Sequence, residues 1–465
     1  MNRKPTGKTA LITFLILGLF TTGCKFNSTK IEKKSDDSLA YNLGVVGGFS
    51  ELINAGVKQL ALSAPMTKKE MDEFVTEAEK IAKQYQVQIY REKNLITTDL
   101  FSHDLTRNKE VLLLYQGTTL EAYFTLKEDK RKLEKTGKYK SQNKLDIARR
   151  FGRMLSYSPR KINQLLAQNS DFRTMADFDI QASNLFLYYK DLKKASDFYA
   201  NVLGMELVAD YTMASIFRMA ENSYLILVDA EKGMHSAEEP KTVALALLTD
   251  QLDQWYAFLK KQKVPIKYEY KPKEASAHDG FVAIDPEGYL LEFERFNQHP
   301  ENERFIPVLN QNETITGPNS STRKTPAGLG FQATITWLYH KDLLNMQDFY
   351  QDILGLEMVA DQGWAKIYKV TNTGFIGLVD EKRGMHQFTE KKAVNVSFIL
   401  KDLEGWHNYA LKHQPFPLRS DQLETGPENK YKAFTGFDPE AYYLEFDQFF
   451  PHKDNELLLK YLTAE

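Results

Sequence analysis

One stretch is written twice in this chain, and the rest of the fold must be built around it. FVAIDPEGYLLEFERF runs through Asp285 and Pro286, and AFTGFDPEAYYLEFDQFF runs through Asp438 and Pro439. Apolar residues on both sides of each Asp-Pro-Glu read as strand, tight turn, strand. Each copy ends with a carboxylate between apolar neighbours, Glu292 in the first and Glu445 in the second. The duplication reaches further upstream. SNLFLYYKDLKKASDFYANVLGMELVAD, from Ser183 to Asp210, recurs as TITWLYHKDLLNMQDFYQDILGLEMVAD, from Thr334 to Asp361. LILVDAEKGMH from Leu225 recurs as IGLVDEKRGMH from Ile376, so both copies reach a Gly-Met-His, at His235 and His386. Self-similarity on this scale means two copies of one domain.

Within the first copy, a strand from Leu185 to Tyr189 leads to Asp191, a residue type that caps helices. Leu192, Ala195, Phe198, Tyr199, Val202 and Leu203 then keep helical spacing up to Gly204. Asp342, Leu343, Met346, Phe349, Tyr350, Ile353, Leu354 and Gly355 repeat the pattern. Three short strands follow each helix, and the same order returns inside the copy, with a strand from Val243 to Leu248 and a helix through Leu252 and Trp255. Each copy is therefore a tandem of two β-α-β-β-β units, and the chain holds four. Whether the copies pair with each other or each pairs within itself stays open at this stage.

The segment from 41 to 170 has no counterpart in the repeat. LALSA from Leu60 and VLLLYQG from Val111 read as buried strands, and helices are predicted from Thr67 to Tyr85, near 120–135 and from Lys144 to Tyr157. This is a small α/β domain. Gly44, Gly47 and Gly48 lack the Lys-Ser or Lys-Thr tail of a phosphate loop and are expected in a turn. Arg149, Arg150 and Arg153 are expected on a solvated helix face.

The ends and the balance of charge narrow the partners. With 60 basic and 62 acidic residues and no dominant basic block, nothing points to nucleic acid, and small molecules are the expected partners. Arg3, Lys4 and Lys8 precede an apolar run from Ala10 to Phe20, too short to span a bilayer and fitting an export signal over 1–23. Cys24 is the only cysteine, so no intramolecular disulfide can form. Standing directly after Gly23, it resembles the lipidated cysteine of bacterial lipoproteins, although Thr21 stands where that family usually has Leu. The polar residues 24–40 suit a flexible tether, which would leave the protein held to a membrane of the cell envelope by lipid.

The motif FY..(V/I)LG after a strand ending in Asp, and DPEG or DPEA before a strand ending in LEF, resembles the vicinal oxygen chelate (VOC) superfamily. That group includes glyoxalase I, extradiol dioxygenases, fosfomycin-modifying enzymes and bleomycin-binding proteins. The resemblance covers residues 181–296 and 331–450, with a linker at 297–330. It implies an α+β fold: two tandem VOC-like domains, each of paired β-α-β-β-β units forming a curled sheet, beside the N-terminal α/β domain.

In that superfamily a divalent metal sits in the curled cup and binds two neighbouring oxygens of the substrate. The last ligand is the Glu of the final strand, matched by Glu292 and Glu445. The other ligand positions fall at Ser183 and Asn184 or Thr334 and Ile335, at Ile226 or Gly377, and at Val243 and Ala244 or Val394 and Asn395. None is His or Glu, so a divalent metal is admitted but its usual ligand set is incomplete. His235 and His386, in loops that could fold over the cups, are candidate ligands for a rearranged metal site with Glu292 and Glu445, and Asp229 and Asp380 are further ligand-binding candidates. Three functions remain open. One is a lyase, isomerase or dioxygenase using Glu292 or Glu445 as metal ligand or general base. Another is a metal-free small-molecule binder of the bleomycin-resistance type. The third is a non-catalytic interaction protein.

Overall fold

The computed structural model describes residues 35–102, 104–272 and 276–463. The export signal at 1–23, Cys24 and the first part of the tether lie outside the described residues. No helix among the described residues is long and apolar enough to cross a membrane.

The N-terminal domain is built on VLLLY. Its strand, Val111–Tyr115, is the middle of a three-stranded antiparallel sheet, between Leu60–Leu62 and Gln88–Glu92. Successive side chains of a strand point to opposite faces, so a continuous apolar run is buried on both. Leu112 and Leu114 meet Val46, Met71 and Phe74 of the helices Ser35–Asn54 and Lys68–Gln84. Val111 and Leu113 meet Tyr123, Ile147 and Phe151 of the helices Thr119–Lys135 and Ser141–Met154. Lys68–Gln84 starts in a capping box, in which Thr67 accepts from the Glu70 N–H while the Glu70 carboxylate accepts from the Thr67 N–H.

Three expectations are corrected here. Residues 35–40, assigned to the tether, already belong to the first helix, and so do Gly44, Gly47 and Gly48, which form no turn. The helix is held by the packing of Val46 and Ile53 rather than by propensity. Arg149 is not solvated. It is buried where this domain meets the second copy: its guanidinium donates to the Asp352 carbonyl at 2.7 Å, and Arg153 reaches the Asp352 carboxylate at 2.8 Å.

The four repeat units span 180–229, 243–296, 333–380 and 394–449, referred to below as units 1 to 4. In each, the opening and closing strands of the unit core run side by side, as Ile180–Tyr189 does in parallel with Ser223–Asp229. The units then join across copies. Val394–Leu400 of unit 4 pairs antiparallel with Ile180–Tyr189 of unit 1, and Ala333–His340 of unit 3 pairs antiparallel with Val243–Leu248 of unit 2. Two eight-stranded sheets result, each taking one unit from each copy. The choice left open by the sequence is thereby settled.

The Asp-Pro-Glu turns lock this arrangement. Asp285 accepts the N–H groups of Glu287 and Tyr289 on one oxygen, both at 2.9 Å, and the hydroxyls of Tyr189 and Tyr199 on the other, at 2.6 and 3.1 Å. Glu287 accepts from the N–H groups of Lys190 and Asp191, so the turn of unit 2 caps the strand end of unit 1. The Tyr289 hydroxyl donates to the Ala393 carbonyl at 2.6 Å and ties unit 2 to the start of unit 4. Asp438, Glu440 and Tyr442 repeat the backbone contacts in the second copy, but His340 stands where the first copy has Tyr189, and the Tyr350 hydroxyl reaches Asp438 at 3.4 Å. Outer faces of both sheets and the helices share one core, with Leu185, Leu245, Leu338 and Val396 drawn from all four units.

Candidate functional site

Curling leaves a cup on the inner face of each sheet, and the two cups differ. The cup of units 1 and 4 holds a cavity of about 430 Å³, walled by Phe186, Tyr188, Ile226 and Val228 from unit 1 and by Tyr431, Glu445, Asp447 and Phe449 from unit 4. Glu445 and Asp447 are two apart on Tyr443–Phe449, so both face inward while Leu444 and Phe446 face the core. Asn395 and Ser397 are two apart on the adjacent parallel strand, in register beside them. The Asn395 amide donates to Glu445 and the Ser397 hydroxyl to Asp447, each at 2.5 Å.

Both carboxyls are buried and both are shifted. Burial, together with the negative charge of Asp447, holds Glu445 well above the usual carboxylate range, against the pull of the Asn395 hydrogen bond. Burial raises Asp447 to about 7, with the Ser397 hydrogen bond opposing it. At neutral pH the pair therefore keeps at least part of its protons and offers both donors and acceptors to the cavity.

His235 stands behind this floor, packed edge-on to Tyr188 and Tyr443. Its Nε2 is 2.9 Å from the Asn395 side-chain oxygen and its Nδ1 is 2.7 Å from the Glu239 carboxylate. A line of contacts thus runs from Glu239 through His235 and Asn395 to Glu445. With both ring nitrogens engaged, His235 positions Asn395 and does not itself reach the cavity.

The cup of units 2 and 3 is nearly closed, with about 80 Å³ left. Trp337 stands where unit 1 has Phe186, Trp364 where it has Met213, and Gly377 where it has Ile226. Gly377 is required by the larger ring, because a Cβ there would lie 1.9 Å from Trp337. Arg383 covers Trp364 at 5.0 Å from the ring centre. Glu292 faces this filled space, its carboxyl raised to about 7 by burial, and Glu294 beside it is raised well above the usual range by burial and by the charge of Glu292. His386 lacks the bridge that His235 makes, because Ala244 occupies the position of Asn395. Its Nε2 has no hydrogen-bond partner. Burial, helped by the positive charge of Lys267, brings it down to about 4 against a hydrogen bond with the Val243 backbone, so the ring is neutral.

The sequence candidates therefore divide. Glu445 lines the open cup, with His235 one residue removed from it, while Glu292 and His386 belong to the filled cup. Asp229 and Asp380 reach neither cavity floor. Asp229 accepts from the Glu231 N–H and pairs with Lys232 at 2.9 Å, and Asp380 accepts from the Lys382 N–H, so both shape the turns that precede Gly-Met-His. Asp447, Glu294 and Ser397 were not singled out from sequence, and Asn395 was named there as an unmatched metal-ligand position. The alternation in YLEFDQF would have placed Asp447 on the face of Glu445.

These donors do not fit the metal of the VOC superfamily. Among the described residues, no group of three or more His, Cys, Asp or Glu side chains converges to hold an ion. The open cup presents two carboxyls that retain protons, an amide and a hydroxyl, with no imidazole nitrogen free, and such a set binds a transition metal poorly.

Residues 181–293 match the family described as Glyoxalase/Bleomycin resistance protein/Dioxygenase superfamily. No curated protein matches the chain. Among solved structures, the chain is similar to glyoxalase I from Zea mays at 15% identity, over 61% of this chain and 95% of that one, with a TM-score of 0.41. It is similar to a candidate dioxygenase from Bacillus subtilis at 16% identity, over 63% and 92%, with a TM-score of 0.42. Lactoylglutathione lyase from Agrobacterium tumefaciens aligns at 21% identity over 24% of this chain and 90% of its own, with a TM-score of 0.21. Residues 181–293 thus form a domain of the glyoxalase/bleomycin resistance protein/dioxygenase superfamily, and its motifs and its β-α-β-β-β units recur at 334–449.

Proposed function

We propose that the protein binds a small molecule in the cup of units 1 and 4 without a transition metal, and that the cup of units 2 and 3 is a closed structural counterpart. The observation that carries this reading is the contrast between about 430 Å³ in one cup and about 80 Å³ in the other. A cavity of that size suits a drug-sized ligand, for which roughly 300–1,000 Å³ is typical. Its walls are largely apolar and aromatic, with Glu445 and Asp447 on the floor and Lys232, Arg419, Glu424 and Lys430 also in its lining.

A second reading shares the site. Glu445 is buried with a raised carboxyl, and Glu239, His235 and Asn395 back it in line. That arrangement favours a group that gives or takes a proton beside a bound ligand. Lipid anchoring to the cell envelope through Cys24 is part of the proposal and rests on the residues of the first 24 positions alone.

The test is binding of an uncharged apolar fluorescent probe such as N-phenyl-1-naphthylamine, together with elemental analysis after exposure to Zn, Mn, Fe and Ni and dialysis. The triple substitution Phe186→Trp, Met213→Trp and Ile226→Gly, which copies the filled cup, should abolish saturable probe binding, with no stoichiometric metal retained. Undiminished binding in the filled variant would refute the site. A retained equivalent of metal, lost in Glu445→Ala, would instead restore the chelate enzyme.

A further inference from the structure

Resting on that reading of the open cup, we infer that its ligand carries a protonated amine on an aromatic or apolar body, with the amine seated between Glu445 and Asp447. Three features of the site converge on this class. First, Asn395 and Ser397 each engage one oxygen of Glu445 and Asp447, which leaves the second oxygen of each carboxyl facing the cavity. A neutral or anionic ligand can meet this pair only while the carboxyls keep their protons, with one donated hydrogen bond from each. An ammonium group donates up to three hydrogen bonds and meets both.

Second, the cations near the mouth are already committed. Lys430 pairs with Asp454 at 2.6 Å, Lys232 with Asp229 at 2.9 Å and Arg419 with Glu424 at 3.6 Å. Among the described residues that line the cavity, each cation thus already faces a carboxylate of its own, and the floor acids, once they release their protons, are the charge left for a ligand to balance. Third, the walls suit a cation with an apolar stem. Tyr211 and Tyr431 lie nearly parallel at the rim, 6.0 Å between centres, and Phe186 and Tyr188 line the interior below. Aromatic faces attract cations, and they accept an aromatic stem equally well.

Seating an ammonium group also has a proton consequence. The floor holds protons that an incoming cation displaces, because an opposite charge nearby favours the ionised carboxylate. Groups facing the pair are Tyr188 from unit 1, Tyr431, Tyr443, Glu424 and Arg419 from unit 4, and the His235–Glu239 couple behind Asn395. Burial raises Tyr188 and Tyr431, so both stay neutral below alkaline pH. Glu445 and Asp447 are therefore the source of the released proton.

The experiment is calorimetry on the protein with three probes sharing one ring system: tryptamine, 3-ethylindole and indole-3-propionate. Tryptamine should bind at least tenfold more tightly than the other two. Its measured enthalpy should change with the ionisation enthalpy of the buffer, which reports proton release. Glu445→Gln with Asp447→Asn should erase the tenfold preference. If that variant fails to fold, the probe series on the unaltered protein decides alone. Equal or tighter binding of 3-ethylindole or indole-3-propionate, still blocked by Phe186→Trp with Met213→Trp and Ile226→Gly, overturns the amine while the cup reading stands. If none of the three binds and the fluorescent probe is also indifferent to the filled variant, both fall.

Discussion

Trp337 fills in one cup the space that its repeat counterpart, Phe186, leaves open in the other. The difference is cooperative, since the indole lies against Gly377 where unit 1 has Ile226. Trp337→Phe with Trp364→Met should therefore open a cavity without a side chain to fill it. A loss of about 1–3 kcal/mol is expected from the vacated volume, checked by urea unfolding, with a new apolar probe site appearing in the second cup.

Glu292 supplies a pH test. Its carboxyl is raised to about 7 by burial, whereas the unfolded chain releases that proton in the ordinary carboxylate range. Between those values the folded state binds more protons than the unfolded one, so stability falls as pH rises and levels off above about 7. Glu292→Gln should flatten the decline between about pH 5 and about pH 8 by up to roughly 3 kcal/mol. An unchanged slope in urea unfolding would show that the carboxyl is ionised in the folded protein.

The junction between the N-terminal domain and the repeat depends on Arg149 and Asp352. Burial pushes the Asp352 carboxyl up despite Arg149 and Arg153 beside it. Removing one guanidinium leaves a buried carboxylate short of its partner. Arg149→Met should cost about 3 kcal/mol and split thermal unfolding into separate transitions for the two regions. Faster proteolysis near 170–180 would accompany the split.

Gly288 and Ala441 occupy the same turn position in the two copies, with φ of +101° and +66°. A Cβ is strained there. Ala441→Gly should stabilise the second turn by about 0.5–1 kcal/mol, and the reciprocal Gly288→Ala should lower the melting temperature.

Much of the architecture was legible because it is written in local pattern. The repeat, the order of strands and helices in each unit, the Asp191 and Asp342 caps and the Asp-Pro-Glu turns all rest on spacing and turn chemistry. Pairing across copies was not, because Val394–Leu400 and Val243–Leu248 are both mainly apolar runs and nothing local says which partner either will meet. Glu445 was found through its motif, yet its neighbours Asn395 and Ser397 come from a strand roughly fifty positions away and become neighbours only in the sheet. Which cup is open was hidden for another reason. Trp337 and Gly377 look unrelated along the chain, and only their contact shows that one makes room for the other. Arg149 was misplaced because a helix face reads as solvated until the domain that covers it is known.

Each sheet borrows one unit from either copy, so neither copy is a separable module. A break in the linker at 297–330 would leave two fragments, each with two exposed strand edges that only the other can satisfy. Such halves should reassemble on mixing, as a split protein does. The same interdependence bears on descent. A duplicated module that kept to itself could have been lost once its own cup closed. Here each copy supplies one unit to the closed cup and one to the open cup, and discarding either copy would dismantle both.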